Sequence, residues 1–171
     1  MARPVDPTRR TAILAKAADY VLEHGLAGLS LRPLAKALGT SPRMLLYDFE
    51  SKERLIHEVL AEIRRREAGL LEAEVRSLED VWRWISAPER EPFLRLFFEM
   101  YVGALGGGEA EPFVRDWLTT IEAVWRPRVD EATATLMIAV VRGLLLDRLA
   151  TGDRARTDAA LARFAEATEG L

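Results

Sequence analysis

SLRPLAKALGTSPRMLLYDFESK, residues 30–52, contains three helix starts with almost no loop between them. Ser30 is of a type favoured at helix N-caps, and apolar residues follow it at the i, i+3, i+4, i+7 spacing of one buried helical face. Gly39 ends this helix, because glycine adopts the left-handed C′ conformation without steric cost. Ser41 and Pro42 then start a second helix, since the hydroxyl can accept from N–H groups and proline at the first helical position loses no hydrogen bond. The stretch therefore predicts a helix-turn-helix.

The second helix of this motif is short, and its sides are predicted to differ. Leu45 and Phe49 are four residues apart, so both can face inward. Arg43, Met44 and Tyr47 fall on other sides of the helix and need other partners. This side of the helix is the first candidate for a binding surface.

The segments before and after the motif are also predicted to be helical. Asp6-Pro7 is predicted to open a helix whose apolar stripe ends near His24, and Ser51 is predicted to cap a long helix that begins at Lys52. The run of arginines at 64–66 in that long helix is expected to be a solvated face pairing with Glu62 and Glu67.

The run LAKALGTSPRMLLYDFESKERL resembles the DNA-binding signature of the TetR (tetracycline-repressor-like) family of bacterial regulators, over residues 10–56. The positions that match are Ala35, Leu38, Gly39, Ser41, Leu45, Phe49, Ser51 and Lys52. Leu46 departs from the pattern, since the family commonly has tyrosine there and this chain carries its aromatic hydroxyl at Tyr47. The resemblance implies an all-α fold of about nine helices, with a helix-turn-helix DNA-binding domain at 1–56 and a ligand-binding and dimerisation domain at 57–171.

The second helix of the motif is expected to enter the major groove of double-stranded DNA. Arg43 is the candidate for base readout, because its guanidinium can bind O6 and N7 of one guanine together. Phosphates are the expected partners of the nearby hydroxyl, phenol and ammonium groups, which are Thr40, Ser41, Tyr47 and Lys52. Arg32 and Met44 complete the predicted DNA-binding set.

Charge is divided unevenly along the chain. Residues 1–56 hold nine Lys and Arg against six Asp and Glu, a balance of +3. The remainder holds fifteen Lys and Arg against twenty-one Asp and Glu, a balance of −6, and the two parts sum to the net charge of −3. The positive balance lies with the motif, as phosphate binding requires. Arg9 and Arg10 are candidates for contacts with the DNA backbone, or are simply solvated. Asp48 and Glu50 would repel phosphate unless they are turned away.

Composition limits the class of protein. A content of 49% hydrophobic and 30% charged residues is typical of a globular helical protein, and the absence of cysteine excludes disulfides and thiolate metal sites. The N-terminal segment MARPVDPTRR lacks the apolar region of a signal peptide, and the apolar run at 134–141 is too short to span a bilayer. We therefore expect a cytoplasmic location, no membrane partner, no metal and no cofactor.

The second half of the chain is rich in aromatic residues, and all four tryptophans lie beyond Ser77. Helices are predicted near 77–86, 88–105, 110–126 and 129–150, followed by a last helix capped by Asp153 or Thr157. Candidate residues for a pocket that takes an apolar or aromatic compound are Trp82, Phe97, Tyr101, Phe113, Trp117 and Met137. Aromatic residues at helical spacing are also typical of a plain core, and that alternative stays open.

The predicted helix at 129–150 is apolar nearly all round, which indicates burial against its own core and against a second surface. A two-helix face that pairs with its symmetry mate explains this better than a monomeric core helix. The resemblance implies the same: in the TetR family the last two helices of each protomer form a four-helix dimer interface, and the middle helices enclose a small-molecule pocket.

These patterns together predict a ligand-responsive transcription regulator, usually a repressor in this family, which binds a pseudo-palindromic operator as a homodimer and is released by a small hydrophobic or aromatic effector. A dimeric scaffold protein whose helix-turn-helix does not bind DNA is one alternative. A helical-bundle enzyme is disfavoured, because His24 and His57 complete no Glu-x-x-His pair and the sequence has no P-loop or nucleophile elbow.

Overall fold

The computed structural model describes residues 7–71, 77–107 and 110–168, and the regular structure within these ranges is entirely helical. It divides into two compact units, Met1–Glu67 and Ala68–Leu171. The division of functions at residue 56 stays a prediction. No helix in the described ranges combines the length and the apolar character that crossing a bilayer would require.

The first unit is built from four helices. They are α1 (Pro7–His24), α2 (Leu31–Ala37), α3 (Pro42–Phe49) and α4 (Lys52–Leu71), of which α4 continues past the end of the unit. Its core is formed by side chains that are almost fully buried: Ala17, Ala18, Val21, Leu34, Ala35, Leu45, Phe49, Leu55, Val59 and Ile63. Asp6, the predicted N-cap of α1, lies outside the described residues.

The turn between α2 and α3 has the predicted glycine geometry. Gly39 has φ +65°, and its N–H donates to the carbonyl of Lys36 at 3.2 Å, while the N–H of Thr40 donates to the carbonyl of Ala35 at 2.9 Å. These two bonds form a Schellman motif, which satisfies carbonyls left unpaired at the end of α2. The tight turn brings α2 and α3 together without a loop.

Two of the three predicted serine caps are confirmed. The Ser41 hydroxyl accepts from the N–H of Met44 at 3.2 Å, and the Ser51 hydroxyl accepts from the N–H of Arg54 at 3.0 Å. Ser30 occupies the N-cap position of α2, but its side chain makes no capping hydrogen bond. Pro33 at the third helical position has no N–H, which removes one of the two donors that a capping side chain can use.

The second unit contains five α-helices in the described ranges, which are α5 (Leu78–Ile85), α6 (Glu91–Ala104), α7 (Ala110–Trp125), α8 (Glu131–Thr151) and α9 (Arg154–Thr168). A 3₁₀ turn at Pro88–Arg90 precedes α6, where the sequence predicted continuous helix. Helix α6 packs on α7, and α8 packs on α9.

Aspartate side chains determine where the last two helices begin. Asp130 accepts from the N–H groups of Ala132 and Thr133 at 2.9 and 3.1 Å, so α8 starts two residues later than predicted. Asp153 caps α9 by accepting from the N–H of Arg156 at 3.0 Å. Thr157, the other predicted cap, is fully buried instead, and its hydroxyl donates to the carbonyl of Asp153 at 3.1 Å.

Candidate functional site

Helix α3 has a buried side and an exposed side, as its spacing predicted. Leu45 and Phe49 are 0% and 1% exposed, which fixes the helix against the core of the first unit. Arg43, Leu46 and Tyr47 lie on the opposite side and are exposed. The helix therefore presents a mixed basic, apolar and aromatic surface on a rigid support.

Arg10 helps to hold α3 in place. Its guanidinium lies 2.6 Å from the Glu58 carboxylate and 4.7 Å from the centre of the Phe49 ring, and its Nε donates to the backbone carbonyl of Asp48 at 3.1 Å. Arg10 thus links α1, α3 and α4, and a contact of its half-buried side chain with the DNA backbone stays a prediction.

The two acidic residues at the end of α3, Asp48 in the helix and Glu50 directly after it, are each paired with an arginine. Asp48 is 6% exposed, and its Oδ2 forms an ion pair with the Arg9 guanidinium at 3.2 Å, without the alignment of a hydrogen bond. Arg9 also donates to the Thr40 hydroxyl at 3.5 Å. Glu50 pairs with Arg54 at 2.5 Å. The repulsion of phosphate that these carboxylates suggested is therefore reduced.

The residues predicted to contact DNA lie on or beside the helix-turn-helix. Arg32 is exposed on α2, whereas Lys52 is the half-buried first residue of α4. The turn and α3 carry the other five, which are Thr40, Ser41, Arg43, Met44 and Tyr47. Their contacts with DNA stay predictions.

Leu46 belongs to the same surface and was missed by the sequence reasoning. It is 40% exposed, although it is a large apolar residue. The signal was its position three residues after Arg43 and directly before Tyr47, which places all three on one side of a helix. Apolar side chains at such a position can contact the methyl group of thymine.

The second unit encloses an apolar cavity of about 60 Å³. Phe97, Trp117 and Met137 line it, as predicted for a pocket, together with Leu118 and Ile121. Phe97 and Trp117 approach each other with ring centroids 6.5 Å apart. The protein's own aromatic side chains thus occupy part of the space between α5, α6, α7 and α8.

Three of the six predicted pocket residues do not line this cavity. Phe113 is buried in α7, and the ring of Tyr101 lies beneath the Arg142 guanidinium at 4.8 Å. The Trp82 indole N–H donates to the Asp158 carboxylate at 2.7 Å, which joins α5 to α9. Whether any of the six residues binds a ligand stays a prediction.

The contacts of Trp82 form part of a charged cluster. Arg148 lies 5.4 Å from the centre of the Trp82 ring and 2.6 Å from the Asp158 carboxylate. Partial burial raises the pKa of Asp158, but the hydrogen bonds from Trp82 and Arg148 outweigh it, so the pKa lies below its ordinary value. Trp82 therefore has a structural role in joining α5, α8 and α9.

Helix α8 carries an exposed stripe without a charged residue, which we call the α8 stripe. It consists of Ala132, Thr135, Leu136, Ala139, Gly143, Leu146 and Ala150, all of them exposed. The two leucines are 49% and 50% exposed. An uncharged stripe of this length is typical of a helix that is covered by a second surface.

Among the residues that the structure describes, no group of three His, Asp or Glu side chains is placed to hold a metal ion. His24 stacks on Tyr20, with ring centroids 4.1 Å apart.

Comparison with known proteins gives a family for the first unit and a fold for the whole chain. Residues 13–59 match the model of the bacterial regulatory proteins of the tetR family. No curated protein matches the chain. The multidrug binding protein EbrR in complex with ethidium is 26% identical, covers 92% of this chain and 98% of its own, and has a TM-score of 0.72.

Two further solved structures share the fold. The transcriptional regulator SCO7518 from Streptomyces coelicolor A3(2) is 24% identical, covers 93% of this chain and 99% of its own, and has a TM-score of 0.71. A regulator from Saccharomonospora viridis in complex with choline is 20% identical, covers 95% of this chain and 98% of its own, and also has a TM-score of 0.71.

Proposed function

Since the chain is a member of the TetR family of bacterial regulatory proteins, we propose that it represses transcription by binding a pseudo-palindromic operator as a homodimer, and that a small hydrophobic effector releases it. The observation that carries this proposal is the exposed side of α3, held from behind by Leu45 and Phe49. The family consists of transcription regulators rather than enzymes. A protein with this role acts in the cytoplasm, where the chromosome is.

DNA recognition is assigned to α3 and its flanking turns. Arg43 stands in the first turn of α3, where a major-groove reading helix contacts base edges, and a bidentate bond to guanine discriminates against other bases by about 1–3 kcal/mol. Lys52 at the start of α4 and Ser41 at the start of α3 supply phosphate contacts, which position the module without reading sequence. We therefore expect Arg43→Ala to lower operator affinity by about 10- to 100-fold.

Dimerisation is assigned to the α8 stripe together with α9. A single module of this size offers few phosphate contacts, so two of them on adjacent half-sites are needed for useful affinity. A C2 interface places the same stripe of both protomers against each other. Small residues such as Ala139 and Gly143 allow the two copies of α8 to approach closely.

The effector site is assigned to the cavity of the second unit. Its volume of about 60 Å³ is well below the roughly 300–1,000 Å³ of small-molecule sites, so lining side chains must move when an effector enters. The complexes of EbrR with ethidium and of the S. viridis regulator with choline support a small-molecule site in this fold. Binding that changes the packing of these helices would shift the dimer away from the DNA-bound form.

The alternative of a scaffold that does not bind DNA depended on the weak positive charge of the first 56 residues and on the acidic residues near the motif. Asp48 is buried beside Arg9, and Glu50 pairs with Arg54 on the next helix. Because each carboxylate is paired with an arginine, neither one prevents phosphate from approaching the exposed side of α3. The regulator is therefore the function that we propose.

Selection of bound duplexes from a random library, followed by salt titration on the selected site, tests DNA recognition. We expect an enriched inverted repeat, and an affinity that falls linearly on logarithmic axes as salt rises. Lys52→Ala should lower the slope by about one per contact removed. The control is Arg83→Ala, which removes an arginine that is 77% exposed in the second unit. Absence of an enriched motif, or an equal loss of slope in the control, would contradict the proposal.

A further inference from the structure

One charged residue lies among the lining residues of the cavity in the second unit. Among the residues that the structure describes, the lining consists of apolar side chains from α5, α6, α7 and α8, with Arg142 of α8 as the single charged one. No carboxylate belongs to this described lining. The cavity is therefore apolar with one fixed positive charge.

Arg142 is held by an aromatic ring rather than by an acid. Its guanidinium carbon lies 4.8 Å from the centre of the Tyr101 ring. No ion pair joins it to a carboxylate among the residues described in the structure. Stacking on an aromatic face fixes the plane of a guanidinium but leaves its five N–H donors directed outward around that plane. These donors can still bind an acceptor.

The half-buried position of Arg142 places its charge where the cavity approaches solvent. Trp84, Leu118 and Ile121 on neighbouring helices are also half-buried and line the same cavity, whereas Phe93, Trp117 and other lining residues are buried. An entering molecule would meet the half-buried side first. Its apolar part would then lie among the aromatic rings, and a polar end would remain beside Arg142.

The sign of this charge separates classes of ligand. A cation beside Arg142 would be repelled, because the apolar walls limit screening by water and the described lining offers no carboxylate to offset that repulsion. An anionic group would instead form a charge-assisted bond with the guanidinium, of the bidentate kind that arginine makes with carboxylates. EbrR was solved with ethidium, which is a cation, so the two proteins are expected to differ.

We propose that the effector is an anionic amphiphile, with an aromatic or aliphatic body in the cavity and a carboxylate bound by Arg142. Tyr101 is a positioning residue in this site, because it acts on the ligand through the arginine. The inference rests on the proposed effector site, and adds the charge of the ligand and the residue that recognises it.

Three probes with one body and different charge test the proposal: 2-naphthoate, 2-naphthalenemethanol and 2-naphthylmethylammonium. Binding to the full chain is measured by quenching of tryptophan emission and by calorimetry, so no DNA is needed. We expect 2-naphthoate to bind at least about 10-fold more tightly than the alcohol, and the ammonium compound to bind more weakly than the alcohol.

Variants at Arg142 assign that preference to one side chain. Arg142→Met should weaken 2-naphthoate by about 10- to 100-fold while changing the alcohol less than about threefold, and Arg142→Lys should keep part of the preference. Arg83→Met is the control for removal of an arginine elsewhere in the second unit. Melting curves and helical circular dichroism check that each variant is folded, and Arg142→Gln, which also removes the charge, replaces Arg142→Met if that variant does not fold.

Each outcome has a distinct meaning. Loss of the charge preference in Arg142→Met supports the inference. Equal binding of the three probes, or a preference for 2-naphthoate that survives unchanged when Arg142 is replaced by an uncharged residue, overturns it while leaving the effector cavity in place. Failure of all three probes to bind at millimolar concentration overturns both the inference and the proposed effector site.

Discussion

Replacing Phe49 with alanine is expected to unfold the first unit and to abolish DNA binding. The ring is 1% exposed, and the guanidinium of Arg10 lies 4.7 Å from its centre. Truncation of a buried phenylalanine costs about 3–5 kcal/mol in the free energy of unfolding, because apolar contacts are lost and a cavity remains. That is a large part of the roughly 5–15 kcal/mol that stabilises a typical domain.

The effect of Phe49→Ala can be measured by urea denaturation followed by circular dichroism, together with operator binding. The matched control is Leu46→Ala, which removes a large apolar side chain from the same helix at a position that is 40% exposed. The control should change the free energy of unfolding by less than about 0.5 kcal/mol, as is usual for surface positions. Equal destabilisation by the two variants would show that α3 is not anchored through Phe49.

Leu146→Arg is expected to separate the dimer and to reduce operator affinity by more than about 100-fold. Leu146 is 50% exposed in the protomer and lies in the C-terminal half of the α8 stripe. A C2 axis brings both copies of a stripe together, so one substitution introduces two like charges into an apolar interface. Linking two modules raises their joint affinity by about 10²–10⁴, and a monomer loses that gain.

Analytical ultracentrifugation and operator titration measure these two effects of Leu146→Arg. Val102→Arg is the control, since it places the same charge at an apolar position that is 63% exposed on α6, outside the stripe. The control should remain dimeric with unchanged operator affinity. A Leu146→Arg protein that sediments as a dimer and binds normally would remove α8 from the interface.

Features that depend on a few neighbouring residues could be predicted from the sequence. Gly39 ends α2 and Ser41 caps α3, because both effects act within one turn of helix. Ser30 shows the limit of such reasoning, since it occupies the N-cap position of α2 but its side chain makes no capping hydrogen bond. Pro33 removes one of the two possible donors, and that part could have been read from the sequence.

Features that depend on distant pairs could not be predicted in the same way. Arg10 and Asp48 are 38 residues apart, and only the packing of α1 against α3 brings them together. Trp82 and Trp117 are the same residue type in the same aromatic region, yet Trp82 bonds to Asp158 and Trp117 lines the cavity. The orientation of each helix about its axis decides between these roles, and the amino-acid composition of the region does not reveal that orientation.

The most direct test of the central claim, that the exposed side of α3 reads bases through Arg43, is to repeat the duplex selection with variants. Arg43→Ala and Lys52→Ala are compared with the unaltered protein on the same random library. We expect Arg43→Ala to lose the preference for guanine at one position in each half-site, whereas Lys52→Ala should recover the unchanged motif with weaker binding. Recovery of an identical motif, guanine included, by Arg43→Ala would contradict the account.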